Sequence, residues 1–102
     1  MNESSTTKVD RPVVKLRLGQ LVATPAAIAA MTEPGQDPAL LLARHRTGDW
    51  GEVSAEDAAA NDRAVVEGDR VLSAYPLPNG GRLWIITEAD RSATTILLPD
   101  DY

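Results

Sequence analysis

The chain of 102 residues has no cysteine, no phenylalanine and a single histidine. The first absence removes disulfides, thiolate zinc sites and cysteine nucleophiles together, and agrees with a reducing compartment. Long apolar runs are missing too. No stretch approaches the roughly 20 apolar residues that span a bilayer, and the first eight residues lack the apolar segment of a secretory signal. A cytoplasmic protein without a membrane partner is expected. Positive charge is also scarce: 10 Lys and Arg stand against 15 Asp and Glu, for a net charge of −5. Lys15, Arg17, Arg44 and Arg46 make at most a small basic patch with no aromatic interleaved, so no nucleic-acid partner is expected. There is no phosphate loop, no nucleophile elbow and no metal-ligand spacing. Neither cofactor nor metal is expected.

What is present is an ordinary globular composition, 43% hydrophobic and 25% charged, in a chain long enough for one core and too short for two. Residues 1–12 read as a disordered tail and 13–102 as a single domain. The acids are concentrated between Asp49 and Asp69, where Asp49, Glu52, Glu56, Asp57, Asp62, Glu67 and Asp69 face one base, Arg63. Such a segment favours basic protein partners or serves as a solvated helix face.

Val14, Leu16 and Leu18 alternate with Lys15 and Arg17, the period of a half-buried strand, and Gly19 suggests a bend before Leu21 and Val22. Thr24-Pro25 and Asp37-Pro38 each place a capping side chain before a proline suited to a first helical turn. They open a short helix ending near Thr32 and a second one through Arg46, with Gly48 as its stop. Ser54 and Asp57 have the spacing of a capping box for a third helix ending at Glu67, closed by Gly68. Its apolar face is thin, with Ala58, Ala59, Val65 and Val66 interrupted by Asn61. From Arg70 the period returns to two. Pro78-Asn79-Gly80-Gly81 marks a hairpin, Leu83 to Ile86 reads as a central strand apolar on both faces, and Thr94 to Leu98 as the last strand, stopped by Pro99. The order β-α-α-α-β-β-β predicts an α+β domain. It has a C-terminal antiparallel three-strand meander plus an N-terminal strand, with the helices packed on one sheet face.

Three places could carry chemistry. His45, on the second helix, has Asp49 within reach and would be the catalytic group of a small hydrolase or nuclease using Asp49, Glu88 and Asp90; its simpler role is to cap the helix or to fix the loop that follows. In that loop, Gly48 to Gly51, Asp49 and Trp50 make either a core plug or a binding anchor. The turn after the central strand, Thr87, Glu88, Asp90, Arg91 and Ser92, holds more polar groups than a turn requires. As a structural turn it would have Asp90 bonded to backbone N–H groups and Arg91 in an ion pair.

Three segments, LGQLVATP (18–25), RHRTGDWG (44–51) and WIITEADRSATTILLP (84–99), resemble a family of small bacterial proteins carried on plasmids and integrative elements. The resemblance covers about residues 16–102 and brings no activity with it. It implies an accessory protein that acts by binding host or element proteins. The helices followed by a meander are also similar in order to the RelE and ParE toxins, which are basic where this chain ends in Asp100-Asp101-Tyr102. The sequence therefore predicts a non-enzymatic protein whose contacts are made by the acidic third helix with Asp49 and Trp50, or by Thr87, Glu88, Asp90 and Arg91. Self-association through an exposed strand edge, with the last strand as the foremost candidate, is the remaining expectation.

Overall fold

A computed structural model describes residues 16–32 and 35–102. The expected tail at 1–12 and the first part of the expected strand, Val14 and Lys15, lie outside them. The elements are β1 (Gln20–Ala23), α1 (Pro25–Thr32), α2 (Pro38–Arg46), α3 (Ala55–Glu67), β2 (Val71–Pro76), β3 (Arg82–Thr87) and β4 (Ala93–Leu97), followed by a 3-10 turn, Pro99–Asp101. The molecule is α+β, with three helices and a four-stranded mixed sheet among the described residues.

Local chemistry sets the helix ends. Asp37 accepts from the Ala39 N–H at the start of α2 and Ser54 Oγ from the Asp57 N–H at the start of α3, so each cap satisfies a donor the helix cannot. At its other end α3 stops at Gly68, in the left-handed conformation, whose N–H returns to Ala64 O. The β2–β3 hairpin closes through Leu77 N–H to Gly81 O at 2.7 Å.

The strand order is β1-β4-β3-β2: β2, β3 and β4 form the antiparallel meander, and β1 joins β4 in parallel. Two expectations need correction. The first strand is shorter and later than the alternation suggested, because Leu16 is drawn instead into a cluster with Trp50, Ala64 and Val71, its N–H bonded to Arg46 O. The last strand is no edge, since β1 lies along its outer side and leaves β1 and β2 as the borders.

Register and pleat put Val71, Ser73, Tyr75, Leu83, Ile85, Thr87, Thr94 and Ile96 on one face. Ala27 and Met31 of α1 and Leu41 of α2 close over Tyr75, Leu83, Ile85 and Ile96 to form the main core. The third helix departs from the expected packing. It borders the outer edge of β2 and turns Asn61 and Ala64 inward, leaving Val66 85% exposed. Of the expected apolar face, Ala58 and Val65 pack against the cluster of Leu16, Trp50, Ala64 and Val71, while Ala59 and Val66 turn outward and Asn61 faces in to bond the backbone of Leu72. The opposite sheet face carries Leu72, Trp84, Ile86 and Leu97, with the Tyr102 ring edge-on to Trp84 at 5.8 Å.

Candidate functional site

The β3–β4 turn, which drew attention for its polar side chains, is held together by them. Asp90 Oδ1 accepts from the Ser92 N–H at 3.0 Å, an Asx turn. Hydrogen bonds from the Ser92 side chain and backbone keep the Asp90 carboxyl below the usual carboxylate range. Arg91 adopts φ 61°, a left-handed conformation uncommon for a bulky residue. The strain is matched by what its side chain reaches. The guanidinium donates to Ala64 O at 2.9 Å, Asp69 O at 2.7 Å and Glu88 O at 3.1 Å. It thus fastens the turn to the C-terminal end of α3, where the helix dipole favours a cation. The expected ion pair of Arg91 is replaced by these carbonyls. Glu88 instead meets Arg70, Nε to Oε1 at 3.6 Å, and Arg70 Nη1 donates to the Tyr102 hydroxyl at 2.7 Å.

Thr87 points the other way, into the core, and this is where His45 sits. His45, Ser73, Thr87 and Thr94 are all fully buried. His45 Nδ1 is 2.6 Å from Ser73 Oγ, its Nε2 2.9 Å from Thr87 Oγ1, and Thr87 Oγ1 2.7 Å from Thr94 Oγ1, which donates to Leu18 O at 2.7 Å. The last bond orients the rest. With its proton committed to Leu18, Thr94 must accept from Thr87, so Thr87 accepts from Nε2–H and Ser73 donates to Nδ1. Every donor in the line is used by the neutral Nε2–H tautomer. Burial lowers the imidazole to about 4, which keeps the ring in the neutral form whose Nδ1 can accept from Ser73. The Trp50 ring closes over it edge-on, with centroids 5.8 Å apart.

The Ser73–His45 distance would suit a nucleophile and its base, yet the base's other nitrogen is held by a threonine hydroxyl where a triad has a carboxylate, and neither group reaches solvent. The His45 side chain neither caps α2 nor hydrogen-bonds the loop after it; it joins α2 to β2 and β3.

The loop is built around other groups. Asp49 accepts from Arg44 Nε at 2.7 Å and from the Gly51 N–H at 3.3 Å, and its carbonyl accepts from the Tyr75 hydroxyl at 2.6 Å. Burial pushes the Tyr75 hydroxyl up to about 12. The Asp49 bond raises Arg44 above its ordinary value, and its guanidinium carbon lies 4.5 Å from the Tyr75 ring centroid. Trp50 is 5% exposed and donates from Nε1 to Asp62 Oδ1 at 3.0 Å. It therefore plugs the core instead of presenting an aromatic face to a partner.

The candidate residues thus separate. His45 and Thr87 meet in the core; Asp49 belongs to Arg44, Glu88 to Arg70, and Asp90 to its own turn. No three His, Asp or Glu side chains among the described residues are placed to hold a metal ion. An open pocket lined by Ala30, Leu77, Arg82, Leu98 and Asp100 includes none of the candidates. Three residues that matter were not singled out from the sequence: Ser73 and Thr94 in the buried line, and Asn61 at the sheet edge. Their signal was a lone polar residue at an apolar position of a periodic element. No helix of the described residues is long and apolar enough to cross a membrane. Comparisons with protein-family models, with curated proteins and with solved structures give no match.

Proposed function

We propose that the protein is a non-enzymatic accessory protein of a bacterial plasmid or mobile element that acts by binding a basic protein partner through the solvent face of α3. One observation carries the reading: the groups able to do chemistry are committed internally, and of the four acids of α3 only Asp62 is, through its bond from Trp50. Glu56, Asp57 and Glu67 are exposed and make no ion pair among the described residues. A face of one sign attracts a complementary partner and raises its association rate. A hydrolase or nuclease using His45 with Asp49, Glu88 and Asp90 would need an imidazole that a substrate can reach; the ring is sealed beneath Trp50.

The test is recovery of the tagged protein from a bacterial host carrying its element, beside a Glu56→Lys/Glu67→Lys variant. Both sites are exposed, so the fold should persist, which circular dichroism checks. A stoichiometric partner held by the parent and lost by the variant, with binding weakened by salt, is the expected result. Equal recovery by both forms removes α3 as the contact.

A further inference from the structure

The two borders of the sheet are finished differently. Along β2 every outward backbone group between Leu72 and Ala74 is occupied. Leu72 exchanges two hydrogen bonds with the Asn61 amide, and Ala74 donates to Trp50 O at 3.0 Å while its own carbonyl accepts from Glu52 N–H at 2.6 Å. Pro76, next in line, has no N–H to offer. A further strand cannot add there.

Along β1 the situation is reversed. Gln20 N–H donates to Ser92 O and Thr24 N–H to Ile96 O, each at 3.0 Å, so the even-numbered residues serve β4. By the alternation of a strand, Leu21 and Ala23 direct N–H and C=O away from the sheet, and no described residue meets them. The side chains are equally open, Leu21 55% and Val22 44% exposed. Natural edges are blunted by charge, proline or a bulge, and Gln20–Ala23 has none of these.

The geometry points to a second copy of the chain as the occupant, with β1 pairing antiparallel to its symmetry mate about a twofold axis through Val22. Leu21 then faces Ala23 of the other copy, the two pairs exchange four backbone hydrogen bonds, and two four-stranded sheets become one of eight. Three observations favour a copy over a foreign strand. The edge is self-complementary, as a closed twofold interface demands. It is uncharged in a chain of net charge −5, whose acid-rich α3 borders the opposite edge. Its ends are of opposite sign: Arg17 precedes the strand, and Asp101 is bonded to Thr24 just after it at 2.6 Å. Antiparallel pairing sets the basic end of one copy beside the acidic end of the other. Leu21 shares the helix-bearing face and Val22 the open one, so each copy covers an apolar side chain on both sides. A four-residue strand buries well under the roughly 1,200 Å² of a standard interface, which places the pair among weak, reversible contacts.

Because the chain has no cysteine, Val22→Cys gives a single thiol that the twofold axis would place opposite itself, in the closely spaced type of pair, about 4.5 Å between Cα atoms. Val66→Cys, 85% exposed on α3, is the control. At 100 μM under mild oxidant, Val22→Cys should form covalent dimer at least tenfold faster than Val66→Cys. In parallel, sedimentation equilibrium of the parent should show monomer and dimer in exchange. Ala23→Pro, which removes an outward N–H, and Val22→Lys, which opposes two like charges, should each raise the dissociation constant at least tenfold. Equal cross-linking rates, a parent monomeric throughout, or a dimer untouched by both edge variants would overturn the proposal. Circular dichroism of each variant separates a lost edge from a lost fold. These outcomes are independent of whether α3 binds another protein.

Discussion

The Asn61 amide replaces a missing strand for Leu72: Nδ2 donates to Leu72 O at 2.8 Å and Oδ1 accepts from Leu72 N–H at 3.2 Å. A primary amide has the donor and acceptor of a peptide unit at the same separation, so one helix side chain closes an edge that would otherwise be wet or sticky. Removing it by Asn61→Ala leaves two part-buried backbone groups without partners and should cost about 2–4 kcal/mol. Asn61→Asp should cost at least as much at neutral pH, because it keeps the bond from Leu72 N–H but sets a buried carboxylate oxygen against Leu72 O. Urea midpoints measure both. Equal stability of Asn61→Ala and the parent would refute the role.

Arg91 lends itself to a paired substitution, because its backbone and side chain pull in opposite directions. Arg91→Ala forfeits the bonds to Ala64, Asp69 and Glu88 while keeping the left-handed φ, and should destabilise by about 2–3 kcal/mol. Arg91→Gly forfeits the same bonds but relieves the backbone, and should be about 1 kcal/mol less damaging. If glycine proves worse than alanine, the left-handed conformation is not the one populated in solution.

The buried histidine gives stability a specific pH dependence. Its folded value of about 4 lies below the ordinary 6.5, so between the two the unfolded chain binds the proton and the folded one does not. The contribution is complete above pH 6.5, falls as pH drops at a slope approaching 1.4 kcal/mol per unit, and totals roughly 3 kcal/mol by pH 4. The carboxyls of Asp90 and Asp101, held low by their hydrogen bonds, act only below this window. Unfolding in urea at several values between pH 7 and 4.5 should show the slope in the parent and lose it in His45→Gln. Parallel profiles for the two proteins would mean that the ring titrates normally.

Much of this architecture could be read from local chemistry and some of it could not, for reasons the residues make plain. Helix ends are set within four residues of one another, and Asp37-Pro38, Ser54 and Gly68 announced them. The hairpin at Asn79-Gly80 is equally local. Pairing partners are not local: nothing in Val14 to Leu18 says that Leu16 will seek Trp50 and Val71 rather than a strand, or that β1 will cover the outside of β4. The buried line from His45 to Leu18 escaped for the same reason, since its members are separated by 28, 42, 7 and 76 positions in the chain. The polar richness of the β3–β4 turn was visible, but its meaning depended on the end of α3 lying within reach of Arg91.

Gly51 and Gly68 share a left-handed backbone, with φ of 77° and 81°, and differ in what surrounds them. A Cβ on Gly68 would meet nothing within 4 Å, whereas one on Gly51 would fall 2.1 Å from Ala74 O and 2.7 Å from the Tyr75 ring. The first of these is backbone, fixed by the bridge that ties the loop to the outer side of β2, and it cannot retreat without opening the edge. Gly68→Ala should therefore cost only the conformational penalty, about 1 kcal/mol. Gly51→Ala should cost about 3 kcal/mol or more, because it adds a clash that breaks the Ala74 bonds and displaces Trp50 from His45. The two variants, compared by urea midpoint and by Trp fluorescence, separate strain from space. If they prove equally stable, the Trp50 loop is not seated against β2, and the sealed environment of His45 goes with it.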